Sequence, residues 1–248
     1  MPPRFFAPDL GAGTDLVTLS REEARHLTRV LRLGAGDTVT VFDGRGNEFL
    51  ARVEDVARHQ VAVRPLRRIE PAEEPSVTLT LAQAVLKGNK LDHVVRDATM
   101  LGVAVIQPLL TLRANVPASA WRDGGAVARW QRIAVASTKQ CRRAVVPEVR
   151  PPLEFERFVG VDESALRICL VEPNPRSERT RGLGVLRADA MPRSATVAIG
   201  PEGGWTEAEI ALATAHGFVP LTLGDRTLRA DAAPIAAVAV LQFLWGDL

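Results

Sequence analysis

The amino-acid sequence predicts two domains of different fold class: a small β-barrel over residues 1–70 and an α/β domain with a parallel sheet over residues 77–248. In the first stretch, short runs of alternating apolar residues follow one another with turn residues between them, which is typical of hairpins in a small barrel. In the second, apolar runs alternate with helical segments, which is the pattern of a parallel sheet covered on both faces. The segment 71–76 is rich in proline and glutamate, and we expect it to be the linker.

The first domain is expected to contain one helix followed by strands. Ser20 and Glu23 match the S-x-x-E capping box that opens a helix, and Gly34 is a typical stop. Alternating apolar residues predict strands at Thr38–Phe42, Phe49–Val53 and Val61–Val63.

The second domain alternates strands with helices over its whole length. Apolar runs predict strands at Val77–Val85, Val103–Leu110, Arg167–Val171, Thr196–Ile199 and Val219–Leu223. Amphipathic or capped segments predict helices after Asn89, over Ala120–Ala144, near Leu153–Val159, from Thr206 to about Ala215, and over Ala233–Trp245. The polar segment Asn174–Gly184 is expected to be a mobile loop.

The composition is that of an ordinary globular protein and disfavours several functional classes. The 248 residues carry 31 Lys and Arg against 29 Asp and Glu, so any attraction to nucleic acid must come from local patches. Two isolated cysteines and four scattered histidines give no metal-ligand spacing. The P-loop and the G-x-S-x-G elbow are missing, which argues against ATP binding and acyl transfer. Without a signal-peptide core or a bilayer-spanning apolar segment, we expect a cytoplasmic protein with no metal and no membrane association.

The stretch Ala198–Ile210 holds the densest set of functional signals. A β-branched strand ends in the sequence Gly-Pro-Glu-Gly-Gly at 200–204, and Thr206 with Glu209 then forms a capping box that opens a helix. Glycines let a ligand approach the backbone, and the first helical turn offers unpaired N–H groups, so this geometry suits a small polar ligand. A tight strand-to-helix turn without a ligand is the alternative explanation.

A second loop, Leu223–Asp231, also joins a predicted strand to a helix. Because the carboxyl ends of parallel strands lie at one edge of a sheet, we expect both loops at the edge where open α/β sheets bind ligands. The alternative is a surface charge network of Arg226, Arg229 and Asp231, with Asp231 capping the final helix.

Local positive charge suggests contact with an anionic polymer. Residues 121–150 carry seven basic and two acidic side chains, and further arginines fall on the first predicted helix. Positive patches near a ligand edge suit such a polymer, although a solvated helix face explains the same pattern.

The final predicted helix, Ala233–Trp245, has almost no polar residue. Such a helix cannot leave a face in water, and a second subunit is an economical cover for it. A central core helix in a monomer is the alternative.

Taken together, these residues resemble the SPOUT class of methyltransferases, and within it the bacterial family that methylates N3 of a uridine in 16S ribosomal RNA. The similarity covers nearly the whole chain in order. It rests on Arg4-Phe5-Phe6, Arg25–Phe49, Lys87-Gly88, Leu101-Gly102, Pro108-Leu109, Arg129–Ile133, Pro147, Ile199–Trp205, Leu223-Gly224 and Leu228-Arg229. The I-G-P-E-G-G loop, followed by a capping box and then by L-G and L-R, is highly specific in combination.

The resemblance implies an N-terminal PUA-like RNA-binding β-barrel and a C-terminal SPOUT-like methyltransferase domain that contains a deep trefoil knot. It implies S-adenosylmethionine as the methyl donor, bound in the knot, and a homodimer packed through the knot region. The partner it implies is 16S ribosomal RNA or the small ribosomal subunit.

By the same resemblance, three loops hold the cofactor and basic side chains hold the RNA. The expected cofactor-binding residues are Leu170, Val171, Glu172, Gly200, Pro201, Glu202, Gly203, Gly204, Leu223, Gly224 and Leu228. The expected RNA-binding residues are Arg4, Arg29, Arg32, Lys87, Lys139, Arg142 and Arg143.

Methyl transfer to N3 of uridine requires loss of the N3 proton and tight positioning, and it needs no metal. We expect Arg229 to stabilise the uridine anion or to anchor a phosphate, because it follows the second cofactor loop. Asp231 or Glu202 is expected to accept the proton or to hold Arg229.

The sequence departs from the family pattern near the expected site. Met100 stands where the family usually has a glutamate, and Ala230 and Ala232 stand where it has threonines. These departures support an alternative hypothesis, in which the protein is a catalytically lapsed RNA-binding ribosome-assembly factor of the same fold.

Overall fold

The computed structural model describes residues 2–11, 13–57, 60–114, 124–173, 181–188 and 190–248. The chain forms two compact units. The first consists of Met1–Glu74 with Val135–Val146, and the second of Pro75–Ala134 with Pro147–Leu248. The segment Val135–Val146, which the sequence analysis assigned to the second domain, therefore packs within the first unit.

The first unit is built on a five-stranded sheet. Its strands are β1 (Arg4–Phe6), β2 (Val17–Thr18), β3 (Thr38–Phe42), β4 (Glu48–Ala57) and β5 (Gln60–Arg68). They lie in the order β1-β3-β4-β5-β2, with β1 parallel to β3 and the other neighbours antiparallel. Alternate side chains such as Val39, Val53 and Val63 are fully buried in its core. The three predicted strands are thus confirmed.

The helix of the first unit begins where the sequence predicts but is capped differently. It runs as α1 (Arg21–Arg25) and continues as a π-helical turn over His26–Val30. The Ser20 hydroxyl accepts a 3.3 Å hydrogen bond from the backbone N–H of Glu23. The Glu23 carboxylate is bound instead by Lys139 Nζ, at 2.7 and 2.9 Å, because a cation attracts it more strongly than a backbone N–H. Half of the predicted capping box is therefore wrong.

In the described residues, the second unit has a sheet of eight strands. They are β6 (Thr78–Ala84), β7 (Val105–Leu110), β8 (Glu148–Val149), β9 (Leu153–Glu154), β10 (Leu166–Leu170), β11 (Arg181–Gly182), β12 (Ser194–Ile199) and β13 (Val219–Thr222). Their order is β11-β13-β10-β12-β6-β7-β8, and β9 also pairs with β7. The pairings are parallel, which confirms the predicted parallel sheet.

Five further α-helices are seen in the described part of the chain. They are α2 (Lys90–Met100), α3 (Gly125–Cys141), α4 (Phe155–Val161), α5 (Glu207–Ala215) and α6 (Ala233–Leu244). The start predicted for α3 at residues 120–123 lies outside the described residues. The Thr206 and Glu209 capping box forms as predicted, with bonds of 3.1 and 2.7 Å in the two directions. Among the described helices, none is long and apolar enough to cross a membrane.

The predicted mobile loop Asn174–Gly184 differs from the structure at its end. Residues 174–180 lie outside the described part of the chain. Arg181 and Gly182 form β11 because they pair with Leu221 and Thr222 of β13, and a 3₁₀ helix follows at Leu183–Ala188. The loop prediction is wrong for these last residues.

The strand order places four carboxyl ends side by side. β10 lies between β12 and β13, and β12 pairs with β6 on its other side. Since all four strands are parallel, the loops that follow them meet at one edge of the sheet. The two loops singled out in the sequence follow β12 and β13, the strands on either side of β10.

Candidate active site

The loops after β10, β12 and β13 enclose a cavity of about 330 Å³ at this edge. Lys90, the first residue of α2, completes its wall. Apolar side chains such as Leu170, Ile199 and Leu228 share the lining with charged ones. A cavity of this size, largely apolar with a few charged groups, suits a small organic ligand.

Trp205 fixes the glycine loop, residues 200–204, to the neighbouring strand. Its indole N–H donates a 2.9 Å hydrogen bond to the carbonyl oxygen of Leu170, at the end of β10. Its ring packs against Phe155 with the ring centroids 4.7 Å apart. Both contacts are buried, so they hold two adjacent walls of the cavity in register.

Gly204 occupies a backbone conformation that requires glycine. Its φ is +66°, in the left-handed region that side chains disfavour. Its N–H donates to the carbonyl oxygen of Pro201 at 2.9 Å, which closes the turn. A Cβ at this position would lie 3.4 Å from a carboxylate oxygen of Glu172, so the loops after β10 and β12 approach each other closely here.

Arg113 and Glu209 hold the outer side of the glycine loop. Nη1 of Arg113 donates to the carbonyl oxygens of Gly203 and Trp205 at 3.1 and 3.0 Å. The buried Glu209 carboxylate accepts a 3.0 Å bond from the backbone N–H of Leu112. Neither contact is predictable from local patterns, because the partners lie 90 and 97 residues apart along the chain.

The loop after β13 carries a bidentate ion pair. Nε and Nη2 of Arg229 donate to the two carboxylate oxygens of Asp231 at 3.1 and 3.2 Å. Desolvation acts to raise the pKa of Asp231, but its own backbone N–H, the Arg229 guanidinium and the charge of Lys90 outweigh it and lower the pKa. Asp231 is therefore a weak base.

Glu202 of the glycine loop is bound from the opposite side by α2 and the residues before it. Its Oε1 accepts hydrogen bonds from Lys90 Nζ at 2.7 Å and from the backbone N–H of Lys87 at 3.3 Å. Desolvation acts to raise the pKa of Glu202, but the Lys90 hydrogen bond, its own backbone N–H, the Lys87 N–H and the Lys90 charge lower it overall. Glu202 is also a weak base.

The cavity brings together most of the residues expected to bind the cofactor. Those in its lining are Leu170, Val171, Glu172, Gly200, Pro201, Glu202, Gly204, Leu223 and Leu228. Gly203 and Gly224 lie outside the lining. Gly203 faces Arg113 instead, since a Cβ there would lie 3.0 Å from the Arg113 Cβ. The three expected catalytic residues, Arg229, Asp231 and Glu202, all line the cavity.

Several lining residues were missed by the sequence analysis of the site. They are Lys90, Pro173, Ile199, Trp205, Arg226, Thr227, Ala230 and Ala233. Five of them already lie within the predicted stretches Ala198–Ile210 and Leu223–Asp231, and Pro173 and Ala233 lie one or two residues beyond a predicted loop residue. Lys90 begins α2, the helix that follows β6, and only the sheet order shows that β6 lies next to β12.

Three of the expected RNA-binding side chains are engaged inside the first unit. Arg4 is 11% exposed, and its Nε lies 2.7 Å from Oε1 of Glu48. Its Nη atoms donate to the carbonyl oxygens of Thr138, Lys139 and Arg143, at the end of α3, over 2.9 to 3.1 Å. This guanidinium caps a helix end, so the geometry does not favour it as a phosphate ligand.

Lys139 and Arg143 are engaged in the same way. Lys139 binds the Glu23 carboxylate, and Arg143, 7% exposed, binds the Glu74 carboxylate with its Nε at 3.0 Å. Because their charges are already paired, the geometry favours an internal ion pair over a phosphate contact for both residues.

The other four expected RNA-binding residues, Arg29, Arg32, Lys87 and Arg142, are exposed. Arg32 and Arg142 have φ values of +57° and +70°, and no other described residue except glycine has a positive φ. Each follows the end of a helix, where glycine is the usual residue. An arginine there costs about 1–2 kcal/mol in backbone strain, which points to a role for its side chain.

Metal ligation has no support at this site or elsewhere in the described chain. Among the described residues, no group of three or more His, Cys, Asp and Glu side chains could hold a metal ion. Cys169 of β10 lies in a buried core cluster with Ala198 and Trp205, where desolvation and then the Glu209 charge raise its pKa to about 12. It is therefore a neutral core residue at physiological pH.

Comparison with known proteins agrees with this architecture. Residues 72–242 match the family model of an RNA methyltransferase domain, and residues 19–66 match that of an RNA methyltransferase PUA domain. The chain is 37% identical over 233 residues to ribosomal RNA small subunit methyltransferase E of Synechocystis sp., a match that covers 92% of this chain and 73% of the relative.

Two solved structures share the fold over nearly the whole chain. A putative methyltransferase from Legionella pneumophila, with its cofactor S-adenosylmethionine bound, is 34% identical with a TM-score of 0.89 and covers 98% of both chains. A ribosomal RNA small subunit methyltransferase E from Neisseria gonorrhoeae, also bound to S-adenosylmethionine, is 32% identical with a TM-score of 0.88, covering 99% of this chain and 98% of that one. The chain therefore belongs to the ribosomal RNA small subunit methyltransferase E family of RNA methyltransferases.

Proposed function

We propose that this enzyme transfers a methyl group from S-adenosylmethionine to N3 of a uridine in 16S ribosomal RNA. One observation carries the proposal: the three loops expected to hold the cofactor enclose a single cavity at the carboxyl edge of the sheet. The charged side chains in the same lining suit a nucleotide bound beside the methyl donor.

The lining fits S-adenosylmethionine in two respects. Leu170, Ile199 and Leu228 offer apolar surface for an aromatic base. The loop after β13 contributes Leu223, Arg226, Thr227 and Leu228 to the lining, so its backbone can offer N–H groups to polar atoms of a ligand. When bound, the cofactor supplies a methyl group on a positively charged sulfur. The residues proposed to hold it are those of 170–172, the glycine loop and Leu223–Leu228.

The two acidic residues of the site are assigned to positioning. The lowered pKa of Asp231 and of Glu202 makes both poor proton acceptors, and each binds a cation of the site. Asp231 holds Arg229, whose side chain is 76% exposed. A guanidinium held on one side and open to solvent on the other is suited to anchor a phosphate of the target nucleotide.

RNA selection is assigned to the first unit and to exposed basic residues. We infer that residues 1–70 form a PUA-like RNA-binding barrel, and that Arg29, Arg32, Lys87 and Arg142 contact phosphates. The target uridine must lie in an unstacked segment, because its N3 edge is paired in a duplex.

We further infer that residues 77–248 form a SPOUT-like domain with a trefoil knot. The strand order supports this inference. The chain leaves β10, forms β12 on one side of it, and then returns to form β13 on the other side. The chain that leads from β12 to β13 must therefore cross the segment that follows β10, and a knot requires a crossing of this kind.

We infer a homodimer that acts in the cytoplasm on the small ribosomal subunit or its RNA. The exposed face of α6 supports the dimer: Val240 is 37% exposed and Phe243 is 61% exposed. A second copy that covers this apolar face would remove it from water.

The experiment that tests the proposed function is a methyl-transfer assay with purified protein. Labelled S-adenosylmethionine is combined with 16S RNA, or with small subunits, from a strain that lacks the protein, and the product nucleosides are identified by mass spectrometry. We expect one labelled 3-methyluridine per RNA. Tight RNA binding with neither cofactor binding nor transfer would instead support the ribosome-assembly factor without catalysis.

A further inference from the structure

We propose that Lys90 is a catalytic residue: its ammonium stabilises the uracil anion that forms when N3 of the target uridine loses its proton. The inference rests on the proposed function and adds the side chain that stabilises the negative charge formed during the reaction. Charge develops on the carbonyl oxygens of the ring, so a fixed cation beside them lowers the barrier.

The position of Lys90 is the first support. It follows β6, whose carboxyl end neighbours that of β12, and it is the one lysine among the described lining residues. Its Nζ lies 2.7 Å from Oε1 of Glu202. An ammonium has three N–H donors, and in the described structure one of them is used, so two remain for a ligand in the cavity.

The place of Lys90 on its helix is the second support. As the first residue of α2, it puts a cation at the helix end where the dipole disfavours positive charge. Asp92 in the same turn does not offset it, because its carboxylate binds Arg129 and the indole N–H of Trp130. Among the described residues, Glu202 is the only hydrogen-bond partner of the Lys90 ammonium, while the charge of Lys90 also acts on Asp231.

The charges around Lys90 make it the cation best placed for the base. The Arg229 side chain is paired with Asp231 and 76% exposed, which suits a phosphate, whereas the Lys90 side chain is 31% exposed and lines the cavity where the base would lie. The titratable and charged groups that share the cavity with it are Glu172 after β10, Glu202 after β12, and Arg226, Arg229 and Asp231 after β13. Glu202 thereby acts as a positioning residue that fixes the ammonium.

The reaction balances without a protein base. The N3–H bond breaks, its proton passes to water or hydroxide, and its electron pair stays on the ring, spread over both carbonyl oxygens. Lys90 keeps its own proton and donates a hydrogen bond to one of those oxygens. The N3 electron pair then forms the bond to the methyl carbon while the carbon–sulfur pair stays on sulfur, so both the ring and the sulfur end neutral.

The test compares Lys90→Met with wild type over a range of pH. Wild-type single-turnover rates should rise with pH and level off. We expect Lys90→Met to be slower by roughly 100-fold at neutral pH and to level off at a higher pH, because the ring then loses its proton less readily. RNA with 5-fluorouridine at the target, whose N3–H is more acidic, should restore much of the rate. Binding of S-adenosylmethionine, measured by calorimetry, should stay close to wild type.

Three further variants separate this role from a structural one. Lys90→Arg keeps the charge and should keep the pH profile. Arg96→Met, on the exposed face of α2, is the matched control and should behave as wild type in every measurement. Glu202→Gln keeps the cation and should cost far less than Lys90→Met.

A Lys90→Met enzyme with an unshifted pH profile and no response to 5-fluorouridine would overturn the proposal and leave Lys90 a tether for Glu202. That failure differs from failure of the proposed function, in which the wild-type protein itself makes no 3-methyluridine.

Discussion

The indole N–H of Trp205 donates a buried 2.9 Å hydrogen bond to the carbonyl oxygen of Leu170, and this bond ties the glycine loop to the end of β10. Gly200 packs beneath the ring, since a Cβ there would lie 3.2 Å from the indole. Two walls of the cavity are therefore set by one side chain.

Trp205→Phe keeps an aromatic ring but removes the donor. We expect the free energy of unfolding to fall by about 1–3 kcal/mol, because the Leu170 carbonyl is left unpaired. We also expect S-adenosylmethionine to bind several-fold more weakly. Urea denaturation and calorimetry measure the two effects. Trp130→Phe is the control, since that indole N–H donates to Asp92 and lies outside the cavity lining. Trp130→Phe should lower the free energy of unfolding but leave S-adenosylmethionine affinity unchanged. If Trp205→Phe kept full affinity as well, the Trp205–Leu170 bond would not be needed to shape the cavity.

Arg4→Met tests the reassignment of Arg4 from RNA contact to internal clamp. Removing one partner of a buried ion pair should lower the free energy of unfolding by about 3–5 kcal/mol. Arg64→Met is the control, because the Arg64–Glu54 pair is exposed and its loss should cost at most about 1 kcal/mol. If Arg4→Met instead folded with wild-type stability and bound RNA more weakly, the original expectation of a phosphate contact would be right.

Arg32→Gly and Arg142→Gly test whether backbone strain is retained for RNA binding. Glycine adopts a positive φ without strain, so neither change should lower the free energy of unfolding. Each should weaken RNA binding and reduce the slope of log affinity against log salt by about 1. Fluorescence anisotropy over a salt series measures both. An unchanged slope would show that these arginines do not contact phosphate.

The Asp43 carboxylate predicts how the first unit responds to acid. It accepts hydrogen bonds from the Arg45 and Asn47 backbone N–H groups at 2.7 and 3.0 Å and from the Asn47 side chain at 2.7 Å. Desolvation acts to raise the pKa of Asp43, but the Asn47 side chain, the two backbone N–H groups and the Arg45 charge lower it below its ordinary value of 3.8.

A pKa lowered by folding stabilises the fold above the unfolded value, and this contribution is lost as the pH falls through the folded value. We therefore expect Asp43 to make the free energy of unfolding decrease as the pH falls below about 3.8, its ordinary pKa. Asp43→Asn should be less stable at neutral pH but lose less on the same acidification. Urea denaturation at a series of pH values measures this, and equal losses in the two proteins would count against it.

Local sequence patterns predicted the features that short stretches of chain determine. The alternation in Thr38–Phe42, the run around Thr78–Ala84 and the Thr206 capping box each specify their own backbone, and each is present. Because every strand of the α/β unit is parallel, the predicted loops necessarily meet at one edge. That is why most of the cavity lining was predictable.

Contacts between distant segments were not predictable from such patterns. The Glu23 carboxylate binds Lys139 and not the helix N-terminus that the capping box predicts. Arg113 binds the glycine loop although it lies 90 residues from Gly203 along the chain. Arg4 and Arg143 look like solvated cations in the sequence, and only the packed structure shows their carboxylate partners. Charge pairing of this kind depends on three-dimensional proximity, which hydrophobic periodicity does not encode.

The most direct test of the central claim is nucleoside mapping of 16S ribosomal RNA by mass spectrometry, with and without this protein in the cell. We predict that deletion removes one 3-methyluridine and that the wild-type gene restores it. Persistence of that nucleoside after deletion, or loss of a methyl group from another base or from a ribose, would show that the protein is not a uridine-N3 methyltransferase of this RNA.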